Sequence, residues 1–132
     1  MHNIWIADDD EAIRLVLEES LSSAGFKTKS FSSGDDLVSE LENSEPDLII
    51  TDVQMPGMLG YDLLKHITNN YEDLPVIVMT AFADMQAAVE SFGGGAFEYM
   101  PKPFDLEDAI KIVERALEAV SYTHLRAHET LP

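Results

Sequence analysis

Five times along the chain a short apolar run is followed by a longer segment whose apolar residues recur every three or four positions. A strand buried on both faces reads as a continuous apolar run, and a helix packed on one face reads as a stripe of that period, so the alternation predicts β-α units built on a parallel sheet. Residues 3–7 form the first run and end in Asp8-Asp9-Asp10, and from Glu11 the positions Ile13, Leu17, Leu21 and Ala24 trace a helix stopped by Gly25. Residues 27–31 alternate apolar and polar, which predicts a more exposed strand at an edge, and Ser33 caps a helix carrying Leu37, Val38 and Leu41. Residues 47–51 make a buried strand, followed by Asp52 and a Pro56-Gly57 turn before the helix of Leu63, Leu64 and Ile67. Residues 74–79 form the fourth strand, with Met85, Ala88, Val89 and Phe92 on the helix after it, broken by Gly93-Gly94-Gly95; residues 96–100 form the fifth. After Pro101-Lys102-Pro103, Asp105 caps a last helix with Leu106, Ile110, Val113, Leu117 and Val120.

That helix is expected to close near Val120, giving one domain over 1–120. Residues 121–132 show no apolar face, resemble translated sequencing-adapter sequence, and are read as a disordered or non-native tail. A chain of 132 residues with 45% hydrophobic residues suffices for one core and is short for two. Its 25 Asp and Glu against 8 Lys and Arg give a formal charge of −17, which argues against a nucleic-acid surface, because phosphate backbones are held by basic side chains. The absence of Cys removes disulfides, thiolate catalysis and Cys-ligated zinc. The start lacks the basic and apolar regions of a signal peptide, and no stretch approaches the roughly 18 apolar residues of a membrane span. A cytoplasmic protein is expected.

In an open parallel sheet, functional groups collect at the carboxyl ends of the strands. Here strand one ends in Asp8, Asp9 and Asp10, strand three in Asp52, strand four in Thr80 and strand five in Lys102. If the strand order is 2-1-3-4-5, strands one and three are neighbours and at least three carboxylates face one crevice. A bound cation relieves their repulsion, and hard oxygen donors without His or Cys suit Mg²⁺, or alternatively Mn²⁺, better than Zn²⁺. Thr80 and Lys102 supply a hydroxyl and a point charge of the kind a transferring phosphoryl group needs, and Asp52, central among them, can serve as the nucleophile that forms an aspartyl phosphate.

These segments together resemble a receiver domain of two-component response regulators, most similar to those of the nitrogen-regulator family of enhancer-binding activators. The resemblance rests on residues 4–10, 46–58, 74–81 and 95–105, and spans 3 to about 120. It implies a doubly wound, flavodoxin-like fold of five parallel strands and five helices, with Asp52 as phosphoacceptor. It further implies Asp9 as a direct Mg²⁺ ligand with Asp8 beside it, the main-chain carbonyl of Gln54 as another ligand, and Thr80 and Lys102 on the phosphoryl group. Tyr99 is implied as the aromatic that turns when Thr80 moves, switching the surface of the fourth helix, fifth strand and fifth helix; the glycines at 93–95 fit a rearranging helix end. The implied partners are a sensor histidine kinase that supplies the phosphoryl group, an ATPase and DNA-binding output serving transcription activation, and a second copy on phosphorylation. Catalysis would be confined to the domain's own phosphotransfer and autodephosphorylation. Leu59 departs from the Asp or Asn often found there, which predicts altered loop contacts and unaltered chemistry. Two rival readings are a docking module that works without phosphorylation, and a Mg²⁺-dependent phosphatase of the haloacid-dehalogenase type with Asp8 as nucleophile; Asp8-Asp9-Asp10 matches its D-x-D fragment.

Overall fold

The computed structural model describes residues 2–53, 60–71, 73–92 and 95–129, with the backbone alone for 91–92 and 121–129. The elements in chain order are β1 (Asn3–Ala7), α1 (Glu11–Ser23), β2 (Lys27–Phe31), α2 (Gly34–Leu41), β3 (Leu48–Asp52), α3 (Gly60–Asn70), β4 (Val76–Ala81), a 3-10 turn (Phe82–Asp84), α4 (Met85–Phe92), β5 (Glu98–Lys102) and α5 (Leu106–Glu129). The strands form one parallel sheet in the order β2-β1-β3-β4-β5, as the sequence predicts.

Because successive residues of a strand face opposite sides, each apolar run feeds two cores. Ile4, Ile6, Leu48, Ile50, Ile77 and Met79 pack against Leu17 and Leu21 of α1 and Ala109, Val113, Ala116 and Leu117 of α5. Trp5, Ala7, Ile49, Val76 and Val78 pack on the other side with Leu37 and Leu41 of α2, Leu63, Leu64 and Ile67 of α3, and Ala88 of α4. The register lines up aliphatic side chains across the centre, Ile6 beside Ile50 and Ile50 beside Ile77. It also lines up the strand ends. Ala7 lies beside Thr51, Asp52 beside Met79 and Ala81 beside Lys102, so the polar residues after each run emerge at one rim.

The local signals act where they were read. Ser33 accepts from Asp36 N–H at 3.2 Å, Asp105 from Glu107 N–H at 2.8 Å, and Gly25 leaves α1 at φ +97°, a left-handed conformation that glycine adopts freely. Asp10 caps α1, its Oδ1 accepting from Ala12 N–H at 2.9 Å and Ile13 N–H at 3.4 Å. β2 is an edge strand with alternating burial, and its Lys29 lies over the rings of Trp5 and Phe31, 5.8 Å from each centroid, while pairing with Glu40 at 2.9 Å. A charged edge of this kind discourages pairing with a foreign strand.

Several boundaries differ from expectation, β3 by one residue at each end and three others by more. β4 starts at Val76 because Leu74 and Pro75 only approach the sheet, Pro75 offering its carbonyl to Ile49 N–H at 3.1 Å. β5 runs from Glu98 through Pro101 to Lys102, since an edge strand tolerates a proline that would end an interior one. α5 continues to Glu129, past the last apolar residue of the stripe, Val120; no Gly or Pro occurs between them to break a helix. The predicted Pro56-Gly57 turn, Leu59, Gly93 and Gly94 lie outside the described residues. No helix of the described residues is long and apolar enough to cross a membrane.

The two-sided core makes the central strands the most sensitive to truncation. Ile50 is fully buried, and Ile50→Ala is expected to cost about 2–5 kcal/mol, seen in urea unfolding as a lower midpoint with an unchanged slope.

Candidate functional site

Asp8 follows β1 and is completely buried, yet each of its polar groups has a partner. Its N–H donates to the Phe31 carbonyl at 3.1 Å, which ties the strand end to β2. Its Oδ1 accepts from Asp10 N–H at 2.9 Å, its Oδ2 from Lys102 Nζ at 3.0 Å, and its carbonyl from Arg14 Nη1 at 2.7 Å. Asp52 ends β3 with a side chain 14% exposed. Its Oδ1 takes the Val53 N–H at 2.8 Å and lies 3.3 Å from the same Lys102 ammonium. Asp9 is exposed. Carboxylate oxygens of Asp8, Asp9 and Asp52 lie within 4.8 Å of one another.

Unit charges about 4 Å apart repel by about 4 kcal/mol at an effective dielectric constant near 20. One ammonium among three carboxylates leaves the cluster net negative. Burial pushes the Asp52 carboxyl above its usual value of 3.8 and the Asp8 charge adds to that, while the charge and hydrogen bond of Lys102 and the Val53 N–H pull the other way without cancelling it. For Lys102, burial alone would lower the pKa, but hydrogen bonding to Asp8 and the charges of Asp52 and Asp8 hold it above the ordinary value. The donor set is all oxygen, clustered and under-neutralised, which fits a small hard divalent cation such as Mg²⁺.

Thr80 is 4% exposed near the end of β4, beside Pro101 of β5, and its hydroxyl makes no hydrogen bond to a described residue. Tyr99 lies beside Val78 and packs with it against the α2-α3-α4 core, so Thr80, two residues after Val78, shares that face of the sheet with Tyr99. Burial raises the Tyr99 phenol above its ordinary pKa. Asp8, Asp9, Asp52 and Lys102 thus come together, Thr80 stands at the same rim, and Tyr99 sits one layer below. Gln54 lies outside the described residues.

Three participants escaped sequence reasoning. Arg14 is six residues beyond Asp8 on a helix, and nothing in its spacing marks it as a partner of a main-chain carbonyl. The Val53 N–H is a backbone group and leaves no trace in the sequence. Gly60 begins α3, donates its N–H to the Val53 carbonyl at 2.9 Å, and approaches so closely that a Cβ there would run into the Asp52 carbonyl and stand 2.9 Å from Val53 Cα. A Gly before a helical stripe was the available signal, since glycine is the residue for close backbone approach.

Gly60→Ala is therefore expected to destabilise the fold by about 1–3 kcal/mol through backbone displacement at the end of β3, measured by thermal unfolding. The raised Asp52 pKa fixes a sign as well. The folded chain binds more protons than the unfolded one between 3.8 and the folded pKa, so ionised Asp52 opposes folding above that window and has no effect below it. In chelator, Asp52→Asn is expected to be more stable than the native chain at neutral pH, with the advantage shrinking as pH falls towards 3.8; urea titrations at several pH values measure it.

A family model, the response regulator receiver domain, matches residues 4–114. The DNA-binding transcriptional regulator NtrC of Salmonella typhimurium is 46% identical over 114 residues, covering 86% of this chain and 24% of the relative. The solution structure of the apo receiver domain of nitrogen regulatory protein C is 44% identical with a TM-score of 0.81, covering 89% of this chain and 95% of that one. The crystal structure of NtrX from Brucella abortus in complex with ADP superposes with a TM-score of 0.92 at 26% identity, covering 99% of this chain and 30% of that one. The chain spans about a quarter of the length of the curated relatives it matches. With that match, that fold and an acidic rim bridged by a lysine, the chain belongs to the response regulator receiver domain family and is similar to the receiver domains of NtrC.

Proposed function

We propose that this receiver domain takes a phosphoryl group onto Asp52 from the phosphohistidine of a sensor kinase, in a reaction that requires Mg²⁺ or Mn²⁺. The observation that carries the reading is the asymmetric occupation of the Asp52 carboxylate. Among the described residues both donors, Lys102 and the Val53 N–H, engage Oδ1, which leaves Oδ2 to attack. The Oδ2–phosphorus bond forms as the phosphorus–nitrogen bond of the donor breaks, and the departing imidazole keeps the electron pair and takes up a proton. Asp9, Asp8 and Asp52 would hold the cation, with the Gln54 carbonyl added by resemblance. When bound, the cation neutralises charge on the phosphoryl oxygens. Lys102 serves the same end from the β5 side, and the Thr80 hydroxyl donates to a phosphoryl oxygen. Hydrolysis returns Asp52 to its carboxylate, water oxygen bonding to phosphorus as the acyl phosphate bond breaks.

The switch we propose starts at Thr80, whose shift towards the phosphoryl group frees space on the face it shares with Tyr99, and ends at the surface of α4, β5 and α5. Residues 1–120 make up the receiver unit on this reading, and 121–132 stand outside it. In the longer, cytoplasmic protein the change would reach an ATPase and a DNA-binding module and promote pairing with a second copy. The state of Asp8 favours this reading over an Asp8-nucleophile phosphatase, because both Asp8 oxygens already accept hydrogen bonds and the side chain is fully buried.

Intact mass after incubation with Mg²⁺ and acetyl phosphate tests the assignment. One phosphoryl adduct is expected, lost in chelator and in Asp52→Asn. An adduct that survives Asp52→Asn but disappears in Asp8→Asn would favour the phosphatase, and absence of both adduct and beryllofluoride binding would favour a docking module.

A further inference from the structure

The Asp8-Asp9 peptide is held from one side by a residue that belongs to none of the groups assigned above. Arg14 sits on the second turn of α1, its own N–H bonded to the Asp10 carbonyl at 3.1 Å, and helical side chains lean back towards the N-terminus. Half-buried, it reaches past the Asp10 cap and places Nη1 2.7 Å from the Asp8 carbonyl oxygen. That oxygen belongs to the peptide from which Asp9 hangs. Asp8 has further restraints on its carboxylate, but among the described residues nothing donates to the carboxylate of Asp9, so its direction is set by the peptide alone.

We infer that Arg14 is a positioning residue that clamps the Asp8-Asp9 peptide and so aims Asp9 at the cation site. The inference rests on the cation site proposed above. Its sign is informative. A guanidinium close to a cation site repels the ion, so an Arg14 acting only through its charge would weaken cation binding, and its removal would tighten it. A clamp predicts the opposite, because loss of a group that orients a ligand typically lowers metal affinity 10- to 100-fold.

The test is a titration of the purified chain with Mn²⁺ alone, following free Mn²⁺ by electron paramagnetic resonance, with native protein, Asp9→Asn, Arg14→Met and Arg14→Lys, each below its unfolding transition. Native binding that fails in Asp9→Asn establishes the site; no native binding, or binding indifferent to Asp9→Asn, would overturn the site reading and this inference with it. Given native binding, Arg14→Met is expected to bind about tenfold more weakly, with affinity recovered in Arg14→Lys, which can still donate to the carbonyl. Unchanged or tighter binding in Arg14→Met, or a loss that Arg14→Lys does not recover, would overturn the clamp while leaving the site intact.

Discussion

The Lys102 ammonium is what allows this rim to exist. From the edge strand β5 it reaches across β4 to Asp52 at the end of β3 and to Asp8 beyond β1, at 3.3 and 3.0 Å. Without a cation there, Asp8 would be a fully buried charge facing two further carboxylates, an arrangement whose desolvation alone costs several kcal/mol. The lysine relieves this only in part: burial of Asp52 and, after it, the Asp8 charge still hold the Asp52 carboxyl above its ordinary pKa. Everything chemically useful follows from that incomplete neutralisation. On the cation-site reading, the cluster retains enough negative charge to draw a divalent cation and enough positive charge to fold.

On the phosphoacceptor reading, the same balance explains why modification at Asp52 would be felt at a distance. A phosphoryl group carries a charge of about −1.5 to −2 at neutral pH and three acceptor oxygens, which compete with Asp8 for the lysine. Lys102 is the last residue of β5, and Tyr99 lies in the same short strand, so a pull on one end of β5 is transmitted along five residues whose far side faces no further strand. The interior strands have no such freedom, being paired on both edges and packed on both faces.

Much of this is legible in the sequence. The central strands appear as apolar runs because burial on both faces demands them, β2 appears as the alternating pattern of a half-exposed edge, and the caps at Ser33 and Asp105 follow from side-chain chemistry that acts within three residues. Asp8, Asp9, Asp52 and Lys102 could be gathered because parallel strands bring their carboxyl ends to one side. Prolines misled in both directions. The reading 74–79 puts Pro75 inside a strand that starts after it, and the reading 96–100 leaves Pro101 outside an edge strand that accommodates it. What could not be read depends on the approach of elements distant in sequence or on backbone groups: the reach of Arg14 to a carbonyl, the Val53 N–H on Oδ1, and the contact of Gly60 with the β3 end.

The hydrogen bond from Gly60 to Val53 has a bearing on how such a chain can diverge. It joins the residue before position 54 to the residue after position 59, so the connection from β3 to α3 is held together at its base by Val53 and Gly60. Whatever side chains occupy the six positions between, Asp52 and the first turn of α3 keep their spacing. On the phosphoacceptor reading, the placement of Asp52 against α3 is then secured by this backbone hydrogen bond and not by the side chains at positions 54–59.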